Sequence, residues 1–200
     1  MCRDMAPLEL AIQFHGHICP GLLMGVRASE FAIQYLELER DRDEELLAVV
    51  ETNSCGVDAI QSILGCTFGK GNLIFNDYGK AVYTIASRDK GRAVRIAQKF
   101  NANRSPLFSR YRELNNKADL TPQEKTEQEN LLGQVFESII TAPFEDIFQW
   151  REVQFDFPDK AEIRKTLQCS VCGEGVMDAR AAITASGVVC PTCSIDKGGQ

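Results

Sequence analysis

The chain has 200 residues, of which 22 are basic and 28 acidic, and its formal net charge is −6. This acidic balance argues against nucleic-acid binding through bulk positive charge, and a content of 44 % hydrophobic and 25 % charged residues is typical of a globular protein. The sequence contains neither the long apolar run of a membrane span nor the apolar segment of a signal peptide. We therefore expect a cytoplasmic protein without a membrane partner, whose cysteines are ligands or reactive thiols rather than disulfides.

The first motif contains both histidines of the chain and reads Phe14-His15-Gly16-His17-Ile18-Cys19-Pro20-Gly21. Imidazole and thiolate are ligands that zinc and several redox metals prefer, so His15, His17 and Cys19 predict a metal or reactive-thiol site. In an extended segment these three side chains share one face. Pro20 is typical of the first turn of a helix, which places Cys19 where its thiolate is favoured. The simpler interpretation is a glycine-rich loop whose histidines bond to the backbone.

The predicted elements between residues 20 and 98 follow the order α-β-α-β-β-β. Apolar periodicity indicates helices over residues 20–38 and 57–64. β-branched and apolar runs indicate strands over residues 46–51, 72–76, 81–86 and 92–98. This order predicts an α+β fold with helices on one face of a mixed sheet. A stripe of small residues on the first helix lets another backbone come close, from the same chain or from a second copy: Gly21, Gly25, Ala28 and Ala32.

A second cysteine, Cys55, follows a predicted strand and precedes a predicted helix. Two helix starts that carry thiols can converge, because each helix dipole stabilises an anion. Cys55, His17 and Cys19 would then bind one metal ion, with His15 as a fourth ligand or a supporting group, and leave a position for water or substrate. Two alternatives remain open. One is a metal-free Cys/His pair of nucleophile and base, and the other is a Cys55 that fills a small buried space.

The glycine-rich stretch over residues 65–72 does not have the spacing of a phosphate-binding P-loop, and a strand rather than a helix follows it. A glycine-rich turn is the better interpretation. The turn begins where the helix after Cys55 ends, so the Lys70 ammonium can point into the predicted site. Asp58 lies in the first turn of that helix. Both residues join Cys55 and His17 as candidates for tuning charge or transferring a proton.

The polar stretch over residues 101–130 contains two helix starts. Ser105-Pro106 is one, and Thr121-Pro122-Gln123-Glu124 fits a capping box with proline at the first helical position. The second helix ends in apolar residues at helical spacing, which predicts an αα-hairpin over residues 105–141 whose apolar end docks. Polar and apolar residues alternate over residues 150–157, which predicts a last strand.

Two Cys-x2-Cys pairs near the C-terminus, Cys169 with Cys172 and Cys190 with Cys193, have the spacing of a four-cysteine zinc ribbon. A segment this short has too little apolar surface to fold alone, so metal ligation would supply the missing folding energy. We predict a structural Zn²⁺ in a ribbon over residues 165–197, and its closed thiolate sphere leaves no position for substrate. A disulfide pair or a redox dithiol is the alternative.

This ribbon resembles the zinc ribbons of the TraR and DnaK-suppressor type, which show Cys-x2-Cys-Gly-Glu followed by Cys-x2-Cys. The matching residues are Cys169, Cys172, Gly173, Glu174, Cys190 and Cys193. The resemblance implies a zinc fold with a protein partner. It does not imply DNA binding, because acidic residues outnumber basic ones from Cys169 onward.

The N-terminal motifs together resemble those of the E-subunit family of formylmethanofuran dehydrogenase. The matching residues are those of the histidine motif as far as Leu22, Gly25, Arg27, Cys55-Gly56-Val57-Asp58-Ala59-Ile60-Gln61, Gly65-Cys66-Thr67-Phe68-Gly69-Lys70-Gly71-Asn72 and Asp77-Tyr78-Gly79-Lys80. The resemblance implies an α+β metal-binding core, assigned to residues 1–157, that forms a homodimer and binds metal near Cys19 and Cys55. It places the pterin metal and iron–sulfur centres of the complex in other subunits, and this chain has no ferredoxin-type cysteine run.

Three functional hypotheses follow from this resemblance. The first is a zinc-binding accessory or regulatory component linked to molybdenum or tungsten pterin oxidoreductase systems, whose subunits are then candidate partners. The second is a stand-alone metalloenzyme for a small carbonyl or amide substrate, and the third is metal storage or delivery. In each case the N-terminal site is expected to hold a second Zn²⁺ or another transition metal.

Overall fold

The computed structural model describes residues 5–39, 43, 45–102, 105–160, 163–185 and 187–195. The chain divides into two compact units, Met1–Pro158 and Asp159–Gln200. The predicted core and ribbon also include residues 1–4, 40–42, 44, 103, 104, 186, 196 and 197, which lie outside the described residues.

Two helices open the first unit. Helix α1 covers Pro7–His15 and is followed by Gly16, whose φ of 91° lies in the left-handed region that glycine adopts readily. Helix α2 covers Pro20–Leu36 and has Cys19 as its N-cap residue. The sequence pattern predicts α2 but not α1. The prediction of an extended histidine segment is wrong, because His15 belongs to a helix and the chain turns at Gly16.

Five strands form one mixed sheet in the order β2-β1-β3-β4-β5. They are β1 (Leu46–Val50), β2 (Leu73–Phe75), β3 (Val82–Ser87), β4 (Arg92–Gln98) and β5 (Phe148–Val153). β1 and β2 run parallel, and every other neighbouring pair is antiparallel. The predicted α+β fold with a mixed sheet is therefore confirmed. The last strand lies earlier than the predicted residues 150–157, since its pairing with β4 begins at Phe148.

The other helices of this unit are α3 (Gly56–Ala59), which continues as a π-helix (Ile60–Leu64), α4 (Pro106–Asn115), α5 (Pro122–Thr141) and the short α6 (Phe144–Ile147). α4 and α5 confirm the predicted αα-hairpin. The Ser105 hydroxyl caps α4, and Thr121 and Glu124 form both bonds of a capping box at the start of α5. None of the described helices is both long enough and apolar enough to cross a membrane.

The main core lies between the sheet and the helices and includes the apolar end of α5. Its buried residues include Leu23, Leu36, Val50, Ile60, Ile85, Ile96, Val135, Ile139 and Phe148. Arg27 of α2 attaches the end of α5 to this core. Its guanidinium donates to the backbone carbonyls of Ile139, Ile140 at 2.7 Å and Ala142 at 2.9 Å. These carbonyls lie at the end of a helix, where they have no partner within it, so Arg27 supplies the missing hydrogen bonds.

The second unit consists of two small hairpins and a short helix. Its elements are β6 (Thr166–Gln168), β7 (Gly175–Met177), a 3₁₀ turn (Asp178–Arg180), β8 (Ala182–Thr184), β9 (Gly187–Val189) and α7 (Pro191–Ile195). β6 pairs with β7 and β8 pairs with β9, both antiparallel. Among the described residues of this unit, the buried apolar side chains are those of Cys169, Val189 and Cys190. This fits a small zinc ribbon, because the cysteines replace an apolar core.

Candidate metal centres

The N-terminal site lies where the ends of three helices meet. His15 is the last residue of α1, Cys19 is the N-cap residue of α2, and Cys55 is the N-cap residue of α3. α2 and α3 touch through their backbones, because a Cβ atom on Gly25 would overlap the carbonyl group of Gly56. Glycine at these two positions therefore brings the Cys19 and Cys55 helix starts together.

Three donor groups converge at this site. The ligand atoms of His15, His17 and Cys19 all lie within 4.8 Å of one another. His15 Nε2 is 3.8 Å from Cys19 Sγ, and the two imidazole centroids are 4.6 Å apart. The Leu22 backbone N–H donates to Cys19 Sγ at 3.3 Å, as expected for a side chain at a helix N-cap. Two nitrogen donors and one sulfur donor match the ligand preferences of zinc and related transition metals.

Asp58 orients one of these ligands. His15 Nδ1 donates to Asp58 Oδ2 at 2.6 Å. Because Nδ1 holds the proton, Nε2 is left as the acceptor atom that faces Cys19. A carboxylate on the far nitrogen of a metal-ligating histidine fixes its tautomer and raises its basicity. Asp58 therefore contacts the predicted site through His15, and its role in tuning charge or transferring a proton stays a prediction.

Cys55 lies beside Cys19 but outside the group of three donors. A Cβ atom on Gly21 would lie 3.8 Å from Cys55 Sγ and 4.0 Å from Cys19 Sγ. Burial, followed by the hydrogen bond to Cys19 and the charge of that thiol, raises the pKa of Cys55. Burial and Cys19 therefore oppose the effect of the short helix on Cys55, and the expected Cys55 thiolate stays a prediction. A ligand role for Cys55 stays a prediction.

Two tyrosines that no sequence motif predicted interact with the thiols of this site. Burial, together with the charge of Cys55, raises the pKa of Tyr83 to about 12, although the hydrogen bond to Ser54 acts in the opposite direction. Burial and the charge of Cys19 raise the pKa of Tyr111, which lies on α4. The helical hairpin therefore contributes a phenol near Cys19. Both contacts join residues far apart in the chain, which local sequence patterns do not reveal.

Gln61 connects Asp58 to the glycine-rich turn. Its Nε2 donates to Asp58 Oδ1 at 3.4 Å, and its Oε1 accepts from the Phe68 backbone N–H at 3.4 Å. Gln61 and Asp58 are three positions apart in one helical segment, so helical spacing could have predicted their contact. Lys70 lies in the turn, where its backbone N–H donates to the Thr67 hydroxyl at 3.4 Å. A role for the Lys70 ammonium at the site stays a prediction.

The C-terminal site is a group of four thiols. The sulfur atoms of Cys169, Cys172, Cys190 and Cys193 all lie within 4.8 Å of one another. Hydrogen bonds from the backbones of Cys172, Cys190 and Val171 lower the pKa of Cys169 to about 6. Hydrogen bonds to the neighbouring thiols of Cys190 and Cys172 raise the pKa of Cys193 to about 12. Thiols this close cannot all ionise unless a cation compensates their charge, which suits a metal-binding group.

The alternative of disulfide bonds does not match this geometry. Every cysteine within the described part of the chain is a free thiol. The Cys172 and Cys190 sulfurs are 3.9 Å apart, far beyond the length of a disulfide bond.

Comparisons with known proteins identify relatives of the chain. The family described as "FmdE, Molybdenum formylmethanofuran dehydrogenase operon" matches residues 14–149, which include the N-terminal donor group. A protein of Archaeoglobus fulgidus described as a probable S-adenosyl-L-methionine-binding protein is 33 % identical over 178 residues. This match covers 85 % of the chain but 48 % of the relative, so the chain spans about half of that protein.

A solved structure has the same fold. It is the crystal structure, at 1.90 Å resolution, of an FmdE-like protein of the tungsten formylmethanofuran dehydrogenase type from Syntrophus aciditrophicus. The TM-score is 0.65 and the sequence identity 24 %, with 94 % of this chain and 89 % of that chain covered. At this identity the likeness establishes the architecture and not the chemistry.

Proposed function

The chain belongs to the FmdE family, and from this premise we propose that it is a metal-binding accessory component of molybdenum or tungsten pterin oxidoreductase systems. The observation that carries the proposal is the convergence of His15, His17 and Cys19, with Asp58 behind His15. The family match includes all four residues. A relative that shares the fold is described as similar to one component of such an enzyme, which supports oxidoreductase subunits as partners.

The donor set fits a divalent transition metal, for which we propose Zn²⁺. His15 Nε2, a nitrogen of His17 and the Cys19 thiolate would hold it, and three protein ligands leave a coordination position for water or another ligand. Zinc in such a site supplies Lewis-acid chemistry. The chain's own residues prepare the site, since Asp58 keeps the proton on His15 Nδ1 and Gln61 holds the other oxygen of Asp58. Cys55, adjacent to Cys19, is the proposed fourth protein donor, and its binding would close the position that water otherwise takes.

The ribbon completes the proposal with one structural Zn²⁺ bound by its four cysteines. We also propose that the protein is a homodimer, as the resemblance to the formylmethanofuran dehydrogenase family implies, and that it is cytoplasmic. The small-residue stripe of α2 does not support the dimer, because Gly25, Ala28 and Ala32 are buried within the chain. The exposed Ile140 at the end of α5 remains available to a second copy. Light scattering at micromolar concentration tests this part, and a monomer contradicts it.

Metal analysis of purified variants tests the N-terminal site. We expect about two equivalents of metal per wild-type chain, and loss of about one equivalent in His17→Ala and in Cys55→Ser, because the rest of the core does not depend on this ion. Cys66→Ala is the matched control, since Cys66 is buried and belongs to neither donor group. Unchanged metal content in both site variants would refute the metal site and leave a thiol site or a structural loop.

Co-purification tests the accessory role. A tagged chain co-expressed with pterin oxidoreductase subunits from its own genome should retain them, and His17→Ala should retain fewer if the metal site serves the assembly. The alternative, a metalloenzyme for a small carbonyl or amide substrate, is favoured by the Cys55 thiol and the Tyr111 phenol beside the donor group. Turnover of a small amide by the isolated wild-type chain, lost in His17→Ala, would favour the enzyme over the accessory component.

A further inference from the structure

A separate polar cavity lies on strands β4 and β5. Successive residues of a strand face opposite sides of a sheet. Val94 and Ile96 of β4 face the main core, whereas Ala93 belongs to a separate apolar cluster on the other face. Arg95 and Ala97 share the face of Ala93. A cavity of about 260 Å³ opens there, and its lining consists of Arg95, Ala97, Gln149, Trp150 and Arg151.

Two positively charged residues lie opposite each other in this cavity. Arg95 of β4 and Arg151 of β5 are directly paired in the antiparallel ladder. Like charges at directly opposite positions destabilise a sheet, because their side chains start only about 5 Å apart. A pair of this kind is tolerated when a negative charge lies between or beside the two guanidinium groups.

The protein supplies a negative charge to only one of the two arginines. Glu51 Oε1 accepts from Arg95 Nη2 at 2.8 Å and from Arg95 Nε at 3.3 Å. Within the described part of the chain, the exposed Arg151 side chain makes no ion pair or hydrogen bond. No acidic residue is among the residues that line the cavity. The group of Glu51, Arg95 and Arg151 therefore carries a net positive charge in a chain whose net charge is −6.

We propose that this cavity binds a small molecule through an oxyanion, either a phosphate or a carboxylate group. The planar guanidinium fork matches both groups in bidentate geometry. Arg95 is the fixed half of the site, because Glu51, which is only 8 % exposed, anchors it. Arg151, whose exposed side chain has no partner among the described residues, is the second guanidinium that contacts the anion, and the Gln149 amide is a further donor. The site is independent of the metal-binding donors and of the proposed function.

Isothermal titration calorimetry measures the binding directly. Trp150, the single tryptophan of the sequence, is not a fluorescent probe of the cavity, because its ring contacts Phe31 and Phe144 on the core face of the sheet. The full-length protein is titrated with inorganic phosphate and, separately, with succinate, against chloride at equal ionic strength. We expect a saturable heat of binding with at least one of the two anions and none with chloride.

Arg151→Gln should weaken that binding by at least about tenfold, because it removes a charged hydrogen-bond donor. Without anion this variant should be no less stable than the wild type, since it relieves the like-charge pair. Arg92→Gln is the matched control. Arg92 lies on the same strand as Arg95, pairs with Glu152 at 2.7 Å and does not line the cavity. Its loss should leave the affinity unchanged.

The responses to the two anions identify the chemical class of the ligand. Saturation by phosphate alone assigns a phosphate ester, saturation by succinate alone assigns a carboxylate, and saturation by both assigns a general oxyanion site. The proposal is overturned if neither anion differs from chloride, or if Arg151→Gln binds as tightly as the wild type. Equal weakening by Arg151→Gln and Arg92→Gln also overturns it, since that result indicates bulk charge rather than a site.

Discussion

The two candidate metal centres use the same kinds of ligand in opposite surroundings. The N-terminal donors lie at the ends of helices that pack on an extensive apolar core. The C-terminal thiols lie in a unit whose described buried apolar side chains are Cys169, Val189 and Cys190, two of which are themselves donors. The amount of buried apolar surface around a site, rather than the type of ligand, therefore determines whether folding depends on the metal ion or the fold forms without it.

Removing one ligand from the ribbon should produce the largest effect. In Cys190→Ser we expect loss of the ribbon zinc and of amide protection over residues 166–195, because structural zinc supplies about 10–16 kcal/mol in small zinc domains. Residues 46–98 should keep their protection. Hydrogen exchange resolved by segment measures both regions. Equal protection of the ribbon in wild type and variant would contradict its dependence on metal, and Cys66→Ala controls for loss of a buried cysteine elsewhere.

The core should instead be sensitive to packing between its helices. In Gly25→Ala the new methyl group meets the Gly56 backbone, so we expect the free energy of unfolding to fall by about 1–3 kcal/mol or more. Gly133→Ala is the matched control on helix α5, where a Cβ meets nothing within 4 Å. It should stabilise the helix by about 0.5–1 kcal/mol. Urea denaturation measures both variants, and similar values for the two would contradict the close helix contact.

Loss of the carboxylate behind His15 should act on metal affinity more than on folding. In Asp58→Asn we expect the N-terminal site to bind zinc about 10–100-fold more weakly, since such a partner orients the ligating imidazole. Competition with a chromophoric chelator measures the affinity. Asp77→Asn, at an exposed position outside the site, should bind zinc like the wild type. An unchanged affinity in Asp58→Asn would show that His15 does not ligate the metal.

Surface charges on the hairpin should contribute least, and their contribution should disappear in acid. A hydrogen bond from Lys117 and one from the Thr121 backbone lower the pKa of Glu124 from 4.5 to about 2. Because the folded pKa is depressed, its stabilisation is complete above about pH 4.5 and is lost as the pH falls toward 2. Unfolding of Glu124→Gln should therefore differ from the wild type above this window and converge with it below. Glu129→Gln removes a carboxylate from the same helix and serves as the matched control.

Elements with strong local signals could be predicted from the sequence. The capping box of Thr121 and Glu124 fixes the start of α5, and the β-branched runs give the strands of the sheet. Helix α1 was not predicted. Ala11 is its only buried residue, so its apolar pattern is weak. β5 begins at Phe148, directly after the short α6 and two residues earlier than predicted, and no local pattern of residues indicates this start.

Each feature of the candidate sites is likewise either predictable from local sequence or dependent on tertiary packing. The spacing of His15, His17 and Cys19 is enough to predict their convergence, since they lie within five positions of one chain segment. The neighbours of this group depend on tertiary packing. Tyr111 comes from the hairpin, and the pKa of Cys55 depends on burial and on Cys19, neither of which is visible along the chain.

The contact between Gly25 and Gly56 determines which substitutions the protein can accept without a change in the spacing of its thiols. The separation of the two thiol-bearing helix starts is set by one backbone lying on another, and not by the size of intervening side chains. Aliphatic residues elsewhere in the core can therefore be exchanged over generations while Cys19 and Cys55 keep their spacing. Substitutions at Gly25 and Gly56 are therefore the ones expected to change the distance between the two thiols.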